Sequence, residues 1–249
     1  ARGRGGRLVP TEVGEEFATV ARRALGLLAE AAAVASRDDT RRKAVRISTT
    51  SSIAALWLVP RLHRFRERHR AFEVWVYETQ DLVEPGAASG VDLALRMGRG
   101  RWPGVRAEPL MDDALVPVCA GSVATNLRKP ADLASAVLLH DEDPAAPWWR
   151  WTEATGLGRP AWASRGPRLG AVSLLVQAAA AGEGVALVPR RLATRFLFDR
   201  RLTAPFAVQV SLGTVYWLVR PSRGVASPAV RAFSAWVRAE ANEATMGAR

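Results

Sequence analysis

The chain has 249 residues and a formal net charge of +11, from 35 basic and 24 acidic side chains. This length allows one large domain or two ordinary ones, and folding buries roughly 70% of the unfolded surface at this size. The lone cysteine, Cys119, excludes a disulfide scaffold and any cysteine-based zinc site. The three histidines are widely separated, so we expect neither a metal nor another cofactor.

The basic charge is almost entirely arginine, because Lys43 and Lys129 are the only lysines. An arginine-rich surface suits a polyanionic partner, but heavy arginine, alanine and glycine usage is also typical of a GC-rich genome. No apolar run reaches the roughly 18 residues of a membrane-spanning helix. No apolar stretch of signal-peptide type directly follows the basic N-terminus either. We expect a soluble, cytoplasmic protein with no membrane partner.

A long amphipathic helix is predicted over residues 11–36. Thr11 is the expected N-cap, and the glutamates of the first turn suit the positive end of the helix dipole. The helix has an apolar stripe at spacings of three and four, which includes Phe17, Val20, Ala24, Leu28 and Ala31. Pairing with a second copy of the helix would bury this stripe, and packing against the same chain is the alternative.

From Ala44 onward, short apolar strands alternate with helical patterns. Strands are predicted at 45–48, 72–77, 91–96, 114–118, 137–140, 185–189 and 208–219. Helices are predicted after the hydroxyl cluster Thr49, Thr50, Ser51 and Ser52, at 170–181 and at 228–241. Such alternation predicts an α/β fold whose parallel or mixed sheet is covered by helices.

Several motifs occur in a recognisable order. They are Gly6–Gly14 (GRLVPTEVG), Trp57–Leu62 (WLVPRL), Gly90–Arg96 (GVDLALR), Gly98–Gly104 (GRGRWPG), Leu138–Asp141 (LLHD) and Gly182–Pro189 (GEGVALVP). Together they resemble the LysR-type transcriptional regulators, in the branch of the glycine-cleavage activator and the chromosomal β-lactamase regulator. The resemblance runs from Gly6 to about Ala239.

This resemblance implies a long linker helix followed by two α/β subdomains of type 2 periplasmic-binding-protein-like architecture. Residues 1–10 would be the remnant of a winged helix-turn-helix, and residues 11–36 the dimerising linker helix. Residues 45–118 with 213–240 would form effector-binding subdomain I, and 119–212 subdomain II. The family implies a small-molecule effector between the subdomains, DNA as a partner, and a homodimer or homotetramer.

The helix-turn-helix that reads DNA in this family would precede residue 6, and the 249 residues do not include it. A recognition helix needs its supporting helices to enter a groove, so we expect no specific operator binding by the chain as given. Arg2, Arg4 and Arg7 would then contact the DNA backbone only.

Candidate effector residues follow strand ends and helix starts. Thr49, Thr50, Ser51 and Ser52 lie at a strand-to-helix junction, where they could bind an anionic group or cap the helix. We expect one of them to cap it. Ser173 opens a second helix that would face the first, or its hydroxyl is bonded within its own turn.

Four further candidates are Arg96, Met97, His140 and Tyr216. Arg96 and Met97 end a strand at its carboxyl end, where open α/β sheets bind ligands, and Arg96 could pair with an anion. His140 ends another strand, although a structural histidine is the more frequent case. Of Tyr216 and Trp217, one would be a cleft aromatic and the other a core aromatic.

The cluster Trp148, Trp149 and Trp151 could stack on a flat ligand, but core or interface packing is favoured. Three residues at this helical spacing cannot all face inward. No G-x-S-x-G, P-loop or H-E-x-x-H motif occurs, so we do not expect an enzyme. A stand-alone small-molecule (solute) binding module is the alternative function, and it would leave the 11–36 helix without a role.

Overall fold

A computed structural model describes residues 11–35, 43–81, 85–86, 89–142 and 147–246 of the chain. The predicted wing remnant, residues 1–10 with Arg2, Arg4 and Arg7, lies outside the described residues. Helix α1 spans Glu12–Ala35. The hydroxyl of Thr11 accepts a 3.1 Å hydrogen bond from the Gly14 N–H, which confirms the predicted N-cap.

Eight strands of the described chain form one mixed sheet in the order β2–β1–β3–β8–β4–β7–β5–β6. The strands are β1 (Ala44–Thr49), β2 (Glu73–Glu78), β3 (Leu93–Met97), β4 (Val105–Val118), β5 (Leu138–Asp141), β6 (Arg168–Leu169), β7 (Val185–Pro189) and β8 (Val210–Pro221). β1 is parallel to β2 and β3, and β5 is parallel to β6 and β7. β8 is antiparallel to β3 and β4, and β4 is antiparallel to β7. The predicted α/β class is confirmed.

Burial of each strand follows its sequence pattern. β7 is apolar and buried on both faces, as expected of a strand covered by helices, and β1 is buried except at the half-buried Arg46. β2 alternates between half-buried and exposed residues, as expected of a strand at the sheet edge. β4 is much longer than the predicted 114–118 and pairs with β8 along most of its length. The pairing shifts register after Pro109, which has no N–H to donate to the ladder.

The remaining helices cover the sheet. They are α2 (residues 51–68), α3 (Gly121–Ala124), α4 (Trp148–Ala154), α5 (Val172–Ala180), α6 (Arg190–Phe198) and α7 (Pro228–Met246), with 3₁₀ turns at Pro130–Ser135 and Ala161–Ser164. α2 is composite, with a π-helical turn over Ala54–Leu58. Helix α6 was not predicted, because its nine residues directly follow the proline that closes β7.

Gly182 ends α5, as predicted. Its φ of 88° places it in the left-handed region that favours glycine. The N–H groups of Gly182 and Glu183 donate to the carbonyls of Ala179 and Ala178. This is the hydrogen-bond pattern of a Schellman cap, which satisfies the last carbonyls of the helix.

The described core has two apolar clusters. The larger packs α2 and α7 on β1 and β3 and includes the aromatic contact of Phe65 with Phe233, whose ring centroids are 5.4 Å apart. The smaller surrounds Trp148 and Trp151, whose rings meet edge to face. Leu175 belongs to the larger cluster although it falls in the predicted second subdomain. The division into 45–118 with 213–240 and 119–212 therefore stays a prediction.

Candidate functional site

A cavity of about 710 Å³ lies where β1 and β3 end. These two strands are parallel, so their carboxyl ends share one edge of the sheet, where open α/β folds bind ligands. The wall includes Thr50 and Ser52 after β1, residues 96–98 after β3, and residues 170–172 at the start of α5. Its volume is in the range of small-molecule sites.

Ser52 connects two walls of the cavity. Its side-chain oxygen accepts a 3.0 Å hydrogen bond from the backbone N–H of Ser173, the second residue of α5. Ser52 thereby satisfies one of the N–H groups that a helix cannot bond at its own start. The expected cap on α2 is wrong, because Thr50 makes no side-chain bond to that helix and the Ser52 hydroxyl is turned to α5 instead.

Arg96 is buried in the cavity wall, with 4% of its surface exposed. Its Nη2 donates to the hydroxyl of Ser48 at 2.6 Å and to the carbonyl of Asp81 at 2.8 Å. Its Nε has no acceptor among the described residues. Burial lowers the pKa of Arg96, partly opposed by the charge of Asp81, but a guanidinium stays charged in proteins. The wall thus contains a buried cationic group with an unused donor.

The structure brings some candidates to the cavity and leaves others outside its lining. Thr50, Ser52, Arg96 and Met97 line it, and Ser173 contacts it through the bond to Ser52. Thr49, Ser51, His140 and Tyr216 are not among the lining residues. Thr49 is fully buried, and its hydroxyl has no partner among the described residues. The Nε2 of His140 lies 2.8 Å from the carbonyl oxygen of Arg165 and donates to it.

Tyr216 and Asp113 form a buried pair beside α6. The tyrosine hydroxyl donates to the Asp113 carboxylate at 2.9 Å, and the backbone N–H of Arg191 donates to the same carboxylate at 3.1 Å. Because Arg191 is the second residue of α6, Asp113 caps that helix. Burial raises the pKa of Asp113 to about 6, although these donors oppose the change. The next residue of α6, Leu192, lines the cavity.

Most of the cavity wall was not predicted, because only Thr50, Ser52, Arg96 and Met97 of the eighteen described lining residues were effector candidates. No binding role was predicted for the lining residues Ile53, Gln80, Arg99, Trp102, Asp141, Arg150, Leu192, Leu212 and Val215. Trp149 also lines the cavity, although core or interface packing was favoured for the tryptophan cluster over ligand stacking. Arg99 and Trp102 belong to the Gly98–Gly104 motif, so the motif itself was the available signal. Trp148 and Trp151 are core residues, whereas Trp149 is 39% exposed. The prediction that one tryptophan of the cluster faces outward is confirmed.

Comparisons with known proteins agree with this architecture. Residues 38–242 match the family model for the LysR substrate binding domain. The chain is 34% identical over 199 residues to the HTH-type transcriptional activator AmpR of Rhodobacter capsulatus, covering 80% of this chain and 67% of that protein. The chain belongs to the LysR family. Members of this family are regulators of transcription, not enzymes.

A second LysR relative is the glycine cleavage system transcriptional activator of Escherichia coli K12. It is 35% identical over 202 residues, which are 80% of this chain and 65% of that protein. The chain therefore spans about two thirds of the length of the curated LysR proteins it matches. Both relatives belong to the branch that the sequence motifs indicated.

Solved LysR structures share the fold. The effector domain of AmpR from Pseudomonas aeruginosa superposes with a TM-score of 0.71 at 32% identity, covering 83% of this chain and 98% of that domain. CrgA of Neisseria meningitidis, at 18% identity, has a TM-score of 0.68 and covers 96% of this chain and 83% of its own. The second likeness concerns the fold alone. The periplasmic-binding-protein-like architecture is confirmed.

No helix in the described part of the chain is both long and apolar enough to cross a membrane. No group of three or more histidine, cysteine, aspartate or glutamate side chains in the same residues could hold a metal ion.

Proposed function

We propose that this chain is the effector-sensing part of a LysR-type transcriptional regulator and that its cavity binds a small anionic effector. The observation that carries the proposal is the buried guanidinium of Arg96 in the cavity wall, whose described hydrogen bonds go to a hydroxyl and to backbone carbonyls and not to a carboxylate. An anionic group in the cavity would supply the negative charge that this buried cation lacks. Among the described residues, the lining contains Arg96, Arg99 and Arg150 and one carboxylate, that of Asp141.

The walls supply further donors for such an anion. Thr50 lines the cavity with its hydroxyl uninvolved in capping α2. The positive end of α5 also faces it, through residues 171 and 172. An ionised oxygen is a stronger acceptor than the Ser52 hydroxyl, so an effector would compete with Ser52 for the Ser173 N–H. Met97 would contribute apolar contact. Thr49, Ser51, His140 and Tyr216 would then position the binding groups without lining the cavity.

Regulation would follow from linkage between the effector and the cavity walls. An effector that binds one arrangement of the walls more tightly shifts the population toward that arrangement. In a regulator, this shift would change the setting of paired DNA-binding heads, and thereby the affinity for DNA. DNA is therefore a proposed partner of the whole regulator, and the cytoplasm is its proposed location.

The exposed stripe of α1 supports a homodimer, with a homotetramer as the larger assembly. Phe17 and Val20 are 74% and 67% exposed, and Ala24 is exposed as well. A second copy of the helix would bury this stripe and remove its apolar surface from water. The side chains of Leu28 and Ala31 lie outside the described residues. A stand-alone solute-binding module would leave this stripe without a function.

The anion requirement can be tested by calorimetry. Carboxylates of increasing size, from acetate to 2-naphthoate, are titrated into the chain, each beside its methyl ester as the neutral counterpart. We expect at least one acid to bind and its ester to bind at least tenfold more weakly, because the ester cannot pair with Arg96. Equal binding of acids and esters, or no binding of any acid, would overturn the proposal.

A further inference from the structure

We propose that Trp149 is a specificity-determining residue that selects effectors with a flat, unsaturated ring beside the anionic group. This inference rests on the proposed function, because it concerns the same cavity. It adds a chemical class: an aromatic or heteroaromatic organic anion whose ring is not cationic. The argument starts from the contrast between Trp149 and its two tryptophan neighbours.

Helix α4 buries two indoles and presents the third to the cavity. The indole N–H groups of Trp148 and Trp151 donate to the carbonyls of Leu139 and Val208, and both rings belong to the smaller core cluster. Trp149 belongs to neither core cluster of the described residues, is 39% exposed, and lines the cavity. Core packing therefore does not account for an indole at this position.

The ring of Trp149 is held in place from one side. The guanidinium carbon of Arg159 lies 4.0 Å from the ring centroid, which is stacking distance. The Nε of Arg159 also donates a 2.6 Å hydrogen bond to Glu153. Glu153 lies one turn after Trp149 on α4. A ring fixed on one side loses little conformational freedom when a ligand stacks on its remaining surface. Arg159 is thus a positioning residue for Trp149.

A second indole lines the same cavity. Trp102 packs on Gly98, where an added Cβ would lie 2.9 Å from the Cζ2 of the indole. The Gly98 carbonyl in turn accepts a 2.9 Å hydrogen bond from the indole N–H of Trp217. The Trp102 ring can therefore pack at this position only because residue 98 has no side chain. Two positioned indoles in one cavity offer flat apolar surface that a small aliphatic anion would leave unused.

Charge narrows the ligand class further. The Arg159 cation already makes a cation–π contact with one face of the Trp149 ring. A cationic ligand on the other face would therefore be disfavoured. Arg96 and Arg99 in the wall also repel a cationic ligand. A neutral or electron-rich ring can stack on Trp149, and a carboxylate, sulfonate or phosphate on that ring can pair with the wall arginines.

The test uses two acids with the same carbon skeleton and charge. 2-Naphthoate is flat, whereas decahydro-2-naphthoate is puckered. Both are titrated calorimetrically into the wild type, Trp149→Leu, Trp149→Phe and Trp75→Leu. Trp75 is the matched control, since it is 43% exposed and stacked by Arg46 at 4.8 Å but lies on β2, outside the cavity lining.

We expect the wild type to bind 2-naphthoate about tenfold more tightly than the saturated acid, which is the scale of one aromatic stacking contact. Trp149→Leu should erase this preference by weakening 2-naphthoate alone, Trp149→Phe should restore most of it, and Trp75→Leu should change neither affinity. Equal affinity of the wild type for both acids, or equal weakening of both by Trp149→Leu, would overturn this inference and leave the anion site standing. Failure of both acids to bind would also overturn this inference, whereas the proposed function is overturned only if no carboxylate from acetate to 2-naphthoate binds.

Discussion

The side-chain oxygen of Ser52 accepts a 3.0 Å hydrogen bond from the backbone N–H of Ser173, a residue 121 positions later in the chain. The contact joins the first turn of α2 to the first turn of α5 across the wall of the cavity. The positive end of α5 is therefore occupied by a hydroxyl of the protein itself. An anionic effector that binds there would have to replace this hydroxyl.

Removing the Ser52 hydroxyl should loosen the start of α5. For Ser52→Ala we expect the free energy of unfolding to fall by about 1 kcal/mol, the usual loss for a helix cap. Hydrogen exchange of the Ser173 amide should become faster. Ser51→Ala is the matched control, since it leaves the Ser52 hydroxyl in place. Unchanged exchange at Ser173 in Ser52→Ala would show that the bond contributes nothing in solution.

The hydroxyl cluster after β1 should matter for binding more than for stability. Thr50 is partly exposed and Ser51 is not in the core, so Thr50→Ala combined with Ser51→Ala should melt within a few degrees of the wild type. Affinity for 2-naphthoate should fall severalfold, because Thr50 would no longer offer its hydroxyl. Calorimetry measures this change, and an unchanged affinity removes the pair from the effector site.

Stability should depend on pH through Asp113. Burial raises the pKa of this carboxyl from its ordinary 3.8 to about 6, so the native state holds the proton more tightly than the unfolded chain does. Its contribution is fully present below pH 3.8 and is lost as the pH rises through about 6. The loss amounts to about 2–3 kcal/mol.

The variant Asp113→Asn isolates this effect, because the other carboxyls titrate in both proteins. Urea unfolding at pH 4, 5, 6 and 7 should show the wild type losing stability relative to the variant as the pH rises. If the two pH profiles run parallel, the Asp113 carboxyl does not titrate in this range.

The exposed stripe of α1 predicts a dimer that depends on Phe17. Replacing Phe17 by Asp places a charge in the proposed interface without touching the core, since Phe17 is 74% exposed. Sedimentation velocity at micromolar concentration should then detect monomer. Thr19→Asp, on a different face of the helix, should leave the dimer intact. A Phe17→Asp dimer of undiminished stability would contradict the helix-mediated interface.

Elements whose apolar residues form one clear pattern could be predicted from the sequence. Elements whose apolar pattern is interrupted by polar residues or proline could not. The continuous apolar run of β7 predicted a buried strand, and the structure buries all five residues. Residues 105–113 of β4 were missed because Pro109 and the adjacent carboxylates Asp112 and Asp113 interrupt the alternation of apolar and polar residues. Its partner β8 supplies the pairing that the local pattern lacks.

The site was harder to predict than the fold, because its contacts join distant parts of the chain. The residue types of the Thr49–Ser52 cluster suggested a cap, and the structure contains one, but on α5 instead of α2. Local sequence could not reveal a partner 121 residues away. In the same way, periodicity showed that one tryptophan of α4 faces outward. Only the packed structure shows that Trp149 lines the cavity.

Blocking the cavity is the most direct test that it is the anion site. Ala171 lines it and has the extended backbone of an N-cap residue, so Ala171→Trp fills the space without removing a charge or a helix cap. Calorimetry with 2-naphthoate should give one bound molecule per wild-type chain and at least tenfold weaker binding to a variant that melts like the wild type. Undiminished binding to that variant would contradict the account.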